Sequence, residues 1–156
     1  GNSRFFFCER RRTLLHQMLH HVNLLAVLVA GVVIFLLGGL WYSPVLFARK
    51  WTALMGKSEE ELKAAAAASP VALMYLAAFL CGLIIALVLA TIIGHFGTLS
   101  LIRGAKVGAL CWLGFAATTS FATAIFSVTP RPLWLINTGY NLVSFVVAGA
   151  IIGAWR

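Results

Sequence analysis

Residues 41–51 read WYSPVLFARKW. Two aromatics, a Ser-Pro break and a cationic pair follow directly on an uncharged apolar run from about Val22 to Tyr42. At a rise of about 1.5 Å per residue, roughly 20 residues cross a hydrocarbon core about 30 Å thick. The run is long enough to be a membrane span. Trp41 and Tyr42 at its end suit the aromatic belt of a membrane–water interface. A signal peptide is excluded, because its apolar region is only about 7–15 residues long and ends in a small-x-small cleavage site.

Downstream of the break, Ser43 suits a helix cap and Pro44 the first helical position. Phe47, Trp51, Leu54 and Met55 recur at helical spacing and share one face, while Arg49, Lys50 and Thr52 point elsewhere. Residues 44–55 therefore read as an amphipathic helix too short to cross, lying in the interface plane, with Trp51 as an anchor. Gly56 ends it. Ser58 and Glu61 have capping-box spacing, and the acids at 59–61 suit a helix N-terminus. The alanine run 64–68 continues that helix until Ser69-Pro70 breaks it.

Upstream, residues 1–17 (GNSRFFFCERRRTLLHQ) are basic and lack a clean period. Met18 stands just before the apolar run and is expected to be the natural start, the preceding residues being upstream translation or cloning-derived sequence. The alternative is a basic juxtamembrane arm that meets anionic lipid through Arg10, Arg11 and Arg12. The domain proper is then 18–156.

Composition agrees with a lipid-embedded chain. Of the 156 residues, 62% are apolar and 10% charged, and the mean hydropathy is +0.97. Soluble domains have about 45–50% apolar and about 25% charged residues. The formal charge of +8 comes from 12 Lys and Arg against 4 Asp and Glu. These cations flank apolar runs, where they suit anionic headgroups rather than nucleic acid. Cys8, Cys81 and Cys111 are odd in number and have no C-x-x-C spacing, so no disulfide framework is expected.

Three further spans come after the break. In the second, about Val71 to Gly94, Gly82, Ala86, Ala90 and Gly94 make a ridge of small residues that lets helix backbones approach. HFGTLSLIRGAK reads as a loop. In the third span, about Val107 to Phe126, Trp112, Ala116, Thr119, Ser120 and Thr123 lie in a stripe about 100° wide. Thr118 is off the stripe and can bond its own helix backbone. SVTPRP is a tight loop. In the fourth span, about Leu133 to Trp155, Asn137, Asn141 and Ser144 share a face, Ala148 continues it and Tyr140 stands beside it. Gly149 and Gly153 form a GxxxG, and Trp155 with Arg156 anchors the far interface. The short loop makes the last two spans antiparallel neighbours. Thr119, Ser120, Thr123, Asn137, Asn141 and Ser144 are expected to form one polar seam that faces protein rather than lipid. The fold class is an all-α, four-span bundle with a short interfacial helix between the first and second spans and both termini on one side.

WYSPVLFARKW at 41–51, LGFAATTS at 113–120 and RPLWLINTGYNLVS at 131–144, with the tail GAIIGAW, resemble the bacterial and fungal membrane family catalogued as domain of unknown function 1761. The resemblance covers about Met18 to Trp155. It implies a four-helix integral membrane fold and carries no established activity, substrate or cofactor. In that family a Gly often stands at the position of Ala48 and a His at that of Asn141, so chemistry resting on that His is not carried over.

Within these bounds the four spans contain no Asp, Glu, Lys, Arg or His. Enzymes and proton-coupled pumps place such groups inside their spans. His16 and His20 are four apart but have no third ligand nearby, so no metal is expected. No Walker loop, G-x-S-x-G or H-E-x-x-H is present. The chain is therefore expected not to be an enzyme and to need no cofactor. Two classes of function remain. One is a non-catalytic membrane subunit or scaffold. The other is a small oligomeric transporter or pore for a neutral or lipid-like solute. The expected partners are the bilayer, a second copy or other membrane proteins, and the expected location is the bacterial inner membrane.

Overall fold

A computed structural model describes residues 22–68, 70–97 and 100–155. The arm 1–17, Met18, the His16/His20 pair and Arg156 lie outside the described residues. Six helices run in order: α1 Leu24–Trp41, α2 Ala48–Leu54, α3 Glu59–Ala68, α4 Val71–His95, α5 Leu101–Phe126 and α6 Arg131–Ala154. Among them α1, α4, α5 and α6 are long and apolar enough to cross a membrane. Among the described residues the chain is all-helical, and its four long apolar helices make it a multi-pass membrane protein.

Asn23 caps α1 by accepting from the backbone N–H groups of Leu25 (3.0 Å) and Ala26 (3.2 Å). Past Trp41 the chain turns rather than beginning a helix at Pro44. Ser43 O accepts from Leu46 N and Ala48 N, and Trp41 O from Phe47 N. The interfacial helix is thus shorter than its periodicity suggests and starts at Ala48. Phe47, Trp51, Leu54 and Met55 are half-buried, while Arg49 and Lys50 are exposed. Gly56 closes α2 at φ +66°, a conformation that glycine adopts without steric cost. Ser58 and Glu61 cap α3 reciprocally: Ser58 N donates to Glu61 Oε2 (2.8 Å) and Glu61 N to Ser58 Oγ (3.1 Å).

The core is built from small and branched side chains. Ala30, Ala86 and Ala148 are 0% exposed, Leu89 1% and Ile34 2%. Gly82, Ala86 and Ala90 are buried as well, and Gly94 is half-buried. A Cβ on Gly82 would meet Gly31 O and the Ile34 side chain, each at 3.3 Å, so α1 and α4 touch nearly backbone to backbone. Lipid tails are as apolar as the side chains, so this close packing, not exclusion of water, drives the association.

The third span is longer than expected. Ser100 Oγ accepts from Arg103 N and starts α5 at Leu101, inside the stretch read as a loop. Helix therefore encloses Arg103 and Lys106 in its first two turns, Arg131 opens α6 and His95 ends α4. Charged side chains and histidine do occur in the long helices, but among the described residues only near their ends. The extension also brings Gly104 and Gly108 against α6. A Cβ on Gly104 would run into Gly149 O, one on Gly108 into Phe145 O, and one on Gly153 would lie 2.6 Å from Ser100 O. The GxxxG of α6 is thus paired with a second one, Gly104 to Gly108, running antiparallel.

Candidate functional site

Beyond Cys111 the third span changes geometry. Trp112–Ala117 is a π-helical stretch, after which α-helix resumes over Thr118–Phe126. A π turn inserts extra chain into the helix and turns the segment after it relative to the one before. Contact between α5 and α6 is concentrated before this turn and thin after it. The glycine crossing holds the two helices together at one end and the π turn parts them at the other. Trp112 marks the change by donating from Nε1 to Thr138 O on α6 (3.0 Å).

The parted end forms a cavity of about 430 Å³. From α5 come Thr119, Ser120, Thr123 and Ala124, and from the connecting loop Ser127 and Thr129. Trp134, Asn137, Thr138 and Asn141 line it from α6. Among the described residues no side chain that lines it is ionisable. Of the six residues expected in the polar seam, five line the groove. Ser144, one turn deeper, is 2% exposed and lies outside it. Thr119 and Thr123 are exposed in the single chain, and Ser120, Asn137 and Asn141 are half-buried.

Hydrogen bonds give the two walls different character. In the loop Ser127 Oγ bonds Thr123 O (2.9 Å) and Thr129 Oγ1 (2.7 Å), and on α5 each hydroxyl of the wall donates to its own helix: Thr119 to Phe115 O, Ser120 to Ala117 O (3.1 Å) and Thr123 to Thr119 O (3.1 Å). Thr118, off the stripe, does the same with Gly114 O. With their hydrogens committed, these oxygens are left as acceptors. Trp134 Nε1 uses one of them, donating to Ser120 Oγ (3.2 Å).

On α6, Asn137 Oδ1 accepts from both Tyr42 OH (3.0 Å) and Trp51 Nε1 (3.1 Å). An indole N–H can only donate, which fixes this atom as the amide oxygen and leaves the amide N–H₂ without a protein partner among the described residues. The Asn141 side chain makes no hydrogen bond to the described residues. Thr138 is 5% exposed and its hydroxyl, like that of Ser144, is unpartnered among them. Burial and then the neighbouring Tyr140 push the Tyr42 phenol, just past the end of α1, up to about 12. It therefore stays protonated and keeps donating to Asn137.

The anchors expected at the interface turn their polar groups onto α6. Trp41 Nε1 donates to Ile136 O (3.0 Å), and its ring packs on Phe47 with centroids 4.9 Å apart. Tyr42 and Trp51 meet at Asn137, and Tyr140 OH returns a bond to Ile34 O (3.2 Å). Trp155 is exposed past the end of α6. Sequence reasoning missed Thr138, Trp134, Ser127 and Thr129. Thr138 is one residue off the Asn face, and the loop residues join the wall only because the π turn leans α5 away.

No curated protein and no solved structure matches the chain. The family model described as "Protein of unknown function (DUF1761)" matches residues 25–153. That range takes in α1 through nearly all of α6, with the aromatic clamp, the glycine crossing and the groove, and the chain belongs to this family.

Proposed function

We propose that this is a non-catalytic membrane protein, in the inner membrane of a bacterium, that binds a neutral hydrogen-bonding molecule in the groove between α5 and α6. The observation that carries the reading is a cavity of about 430 Å³ whose polar lining is all hydroxyl, amide and indole. Among the described residues no carboxylate, imidazole or amine faces it to move a proton, which argues against acid–base catalysis there. The groove narrows toward the glycine crossing. Beyond Asn141 the helices close until Gly108 touches Phe145 O, which favours a binding pocket over a path through the single chain.

Asn141 lies ten residues from Arg131 on α6, about 15 Å along the axis. The groove thus reaches from the loop at 127–130 to about the middle of a hydrocarbon core about 30 Å thick. Cysteine labelling tests the reading. With Cys8 and Cys81 replaced by Ser, Thr123→Cys in liposomes should react with a small water-soluble thiosulfonate, and Val88→Cys on the lipid-facing side of α4 should not. A protected Thr123→Cys would show that a partner helix or lipid fills the groove, and would return the protein to the scaffold class.

A further inference from the structure

We propose that the groove takes a neutral polyol of about hexose size, bound between a wall on α5 that accepts hydrogen bonds and a wall on α6 that both donates and accepts them. This rests on the reading of the groove as a binding pocket and names the class of its ligand.

The α5 wall presents the oxygens of Thr119 and Thr123, whose hydrogens are held by Phe115 O and Thr119 O. It satisfies groups that donate. The α6 wall presents Asn137, whose oxygen is held by Tyr42 and Trp51 and whose N–H₂ is left to pair, and both ends of the Asn141 amide. Thr138 lines the groove as well, with its hydroxyl buried behind the surface and without a partner among the described residues.

Only a molecule that both donates and accepts, several times over, pairs with both walls. Thr119 and Thr123 are one turn apart, as are Asn137 and Asn141, so each wall offers its groups about 6 Å apart along the axis. That separation is comparable to the distance between hydroxyls on opposite sides of a hexose ring. A charged group would lose its hydration with no opposite charge in the lining, which disfavours ammonium, carboxylate and phosphate. Trp134 also lines the groove, its indole N–H given to Ser120 Oγ and its ring packed against Phe121 with centroids 5.0 Å apart.

The hydroxyls can belong to a free polyol or to the headgroup of a neutral glycolipid. Titration calorimetry on the full chain in nanodiscs, with myo-inositol in one arm and monoglucosyl diacylglycerol doped into the disc in the other, separates these sources. Heat in the first arm assigns a free polyol; binding in the second alone assigns a lipid headgroup. Either should weaken about tenfold in Thr123→Val and in Asn141→Leu, the loss expected for about 1.4 kcal/mol. Thr91→Val, outside the groove, should change nothing. Glucose 6-phosphate should not bind.

Binding in neither arm overturns the proposal, as does unchanged affinity in both groove variants, or equal affinity for the phosphorylated sugar. Because Thr123→Cys labelling reports a wet groove whatever its ligand, labelled protein that ignores both probes sinks the ligand class alone. Unlabelled protein sinks the pocket itself.

Discussion

Asn137 is the acceptor at which three parts of the chain meet: the end of α1 through Tyr42, α2 through Trp51, and α6 itself. Removing it strands two donors in a half-buried place, and an unsatisfied buried donor costs about 1–3 kcal/mol. Asn137→Leu should therefore lower unfolding stability in mixed micelles by about that amount. Asn141→Leu strands no protein donor, and its effect should stay within about 1 kcal/mol. Equal losses in the two variants would mean that Asn141 acts as packing glue. Val128 is the other residue under local constraint. It is a β-branched residue at φ +53° in the loop at the groove mouth, 85% exposed, where no packing compensates the strain. Val128→Gly should raise stability by about 1 kcal/mol, the strain of a side chain in that region less the entropy glycine adds to the unfolded chain. An unchanged or lower melting temperature would show the loop to be relaxed.

The glycine crossing and the π turn act as a pair: one holds α5 on α6, the other lets it go. Gly104→Val should separate the helices at their closest point and cost about 3 kcal/mol or more, since its first added atom already collides with the backbone of Gly149. Gly39→Ala, with open space around it, is the matched control and should be tolerated. Deleting Gly114 should turn the π stretch back into α-helix and rotate the rest of α5 by about 100° relative to the wild type. The Thr119 and Thr123 hydroxyls would then leave the groove, and Thr123→Cys in that background should lose its labelling. The spans themselves were legible because twenty uncharged apolar residues have few other fates. The small-residue ridge of α4 and the polar face of α6 were legible from helical period. Gly104 and Gly108 were not, because Arg103 and Lys106 made their stretch look like a loop, and nothing local says that a helix continues past two cations near the interface. The π turn left no signal either. Its one extra residue is a property of how α5 meets α6, and WLGFAA alone fits an ordinary helix. The aromatics were legible as end-of-span residues, but belt and clamp use the same side chains, and only the fold shows Tyr42 and Trp51 bonded to a helix 86 to 95 positions away.

Four crossing helices put residues 22 and 155 on one side and α2, α3 and the groove mouth on the other. Arg49, Lys50, Lys57, Lys63 and Arg131 flank the spans on the groove side, against Arg103 and Lys106 on the opposite side among the described residues. Basic residues close to span ends are retained in the cytoplasm, and acids contribute little to the choice. A chain that begins at Met18 should therefore place α2 and α3 in the cytoplasm, and its groove would fill from there. The arm carries Arg4, Arg10, Arg11 and Arg12; with these and Arg156 the terminal side has seven basic residues against five, and the bias reverses. Orientation is then a property of the start site, and it can be read with two cysteines. In intact cells, the Met18 form bearing Arg103→Cys should react with an impermeant maleimide, and the same form bearing Lys57→Cys should react only after permeabilisation. The form with the arm should show the opposite pattern. Labelling at 57 and protection at 103 in the Met18 form would refute the assignment. One pattern for both start sites would show that the residues before Met18 do not set topology.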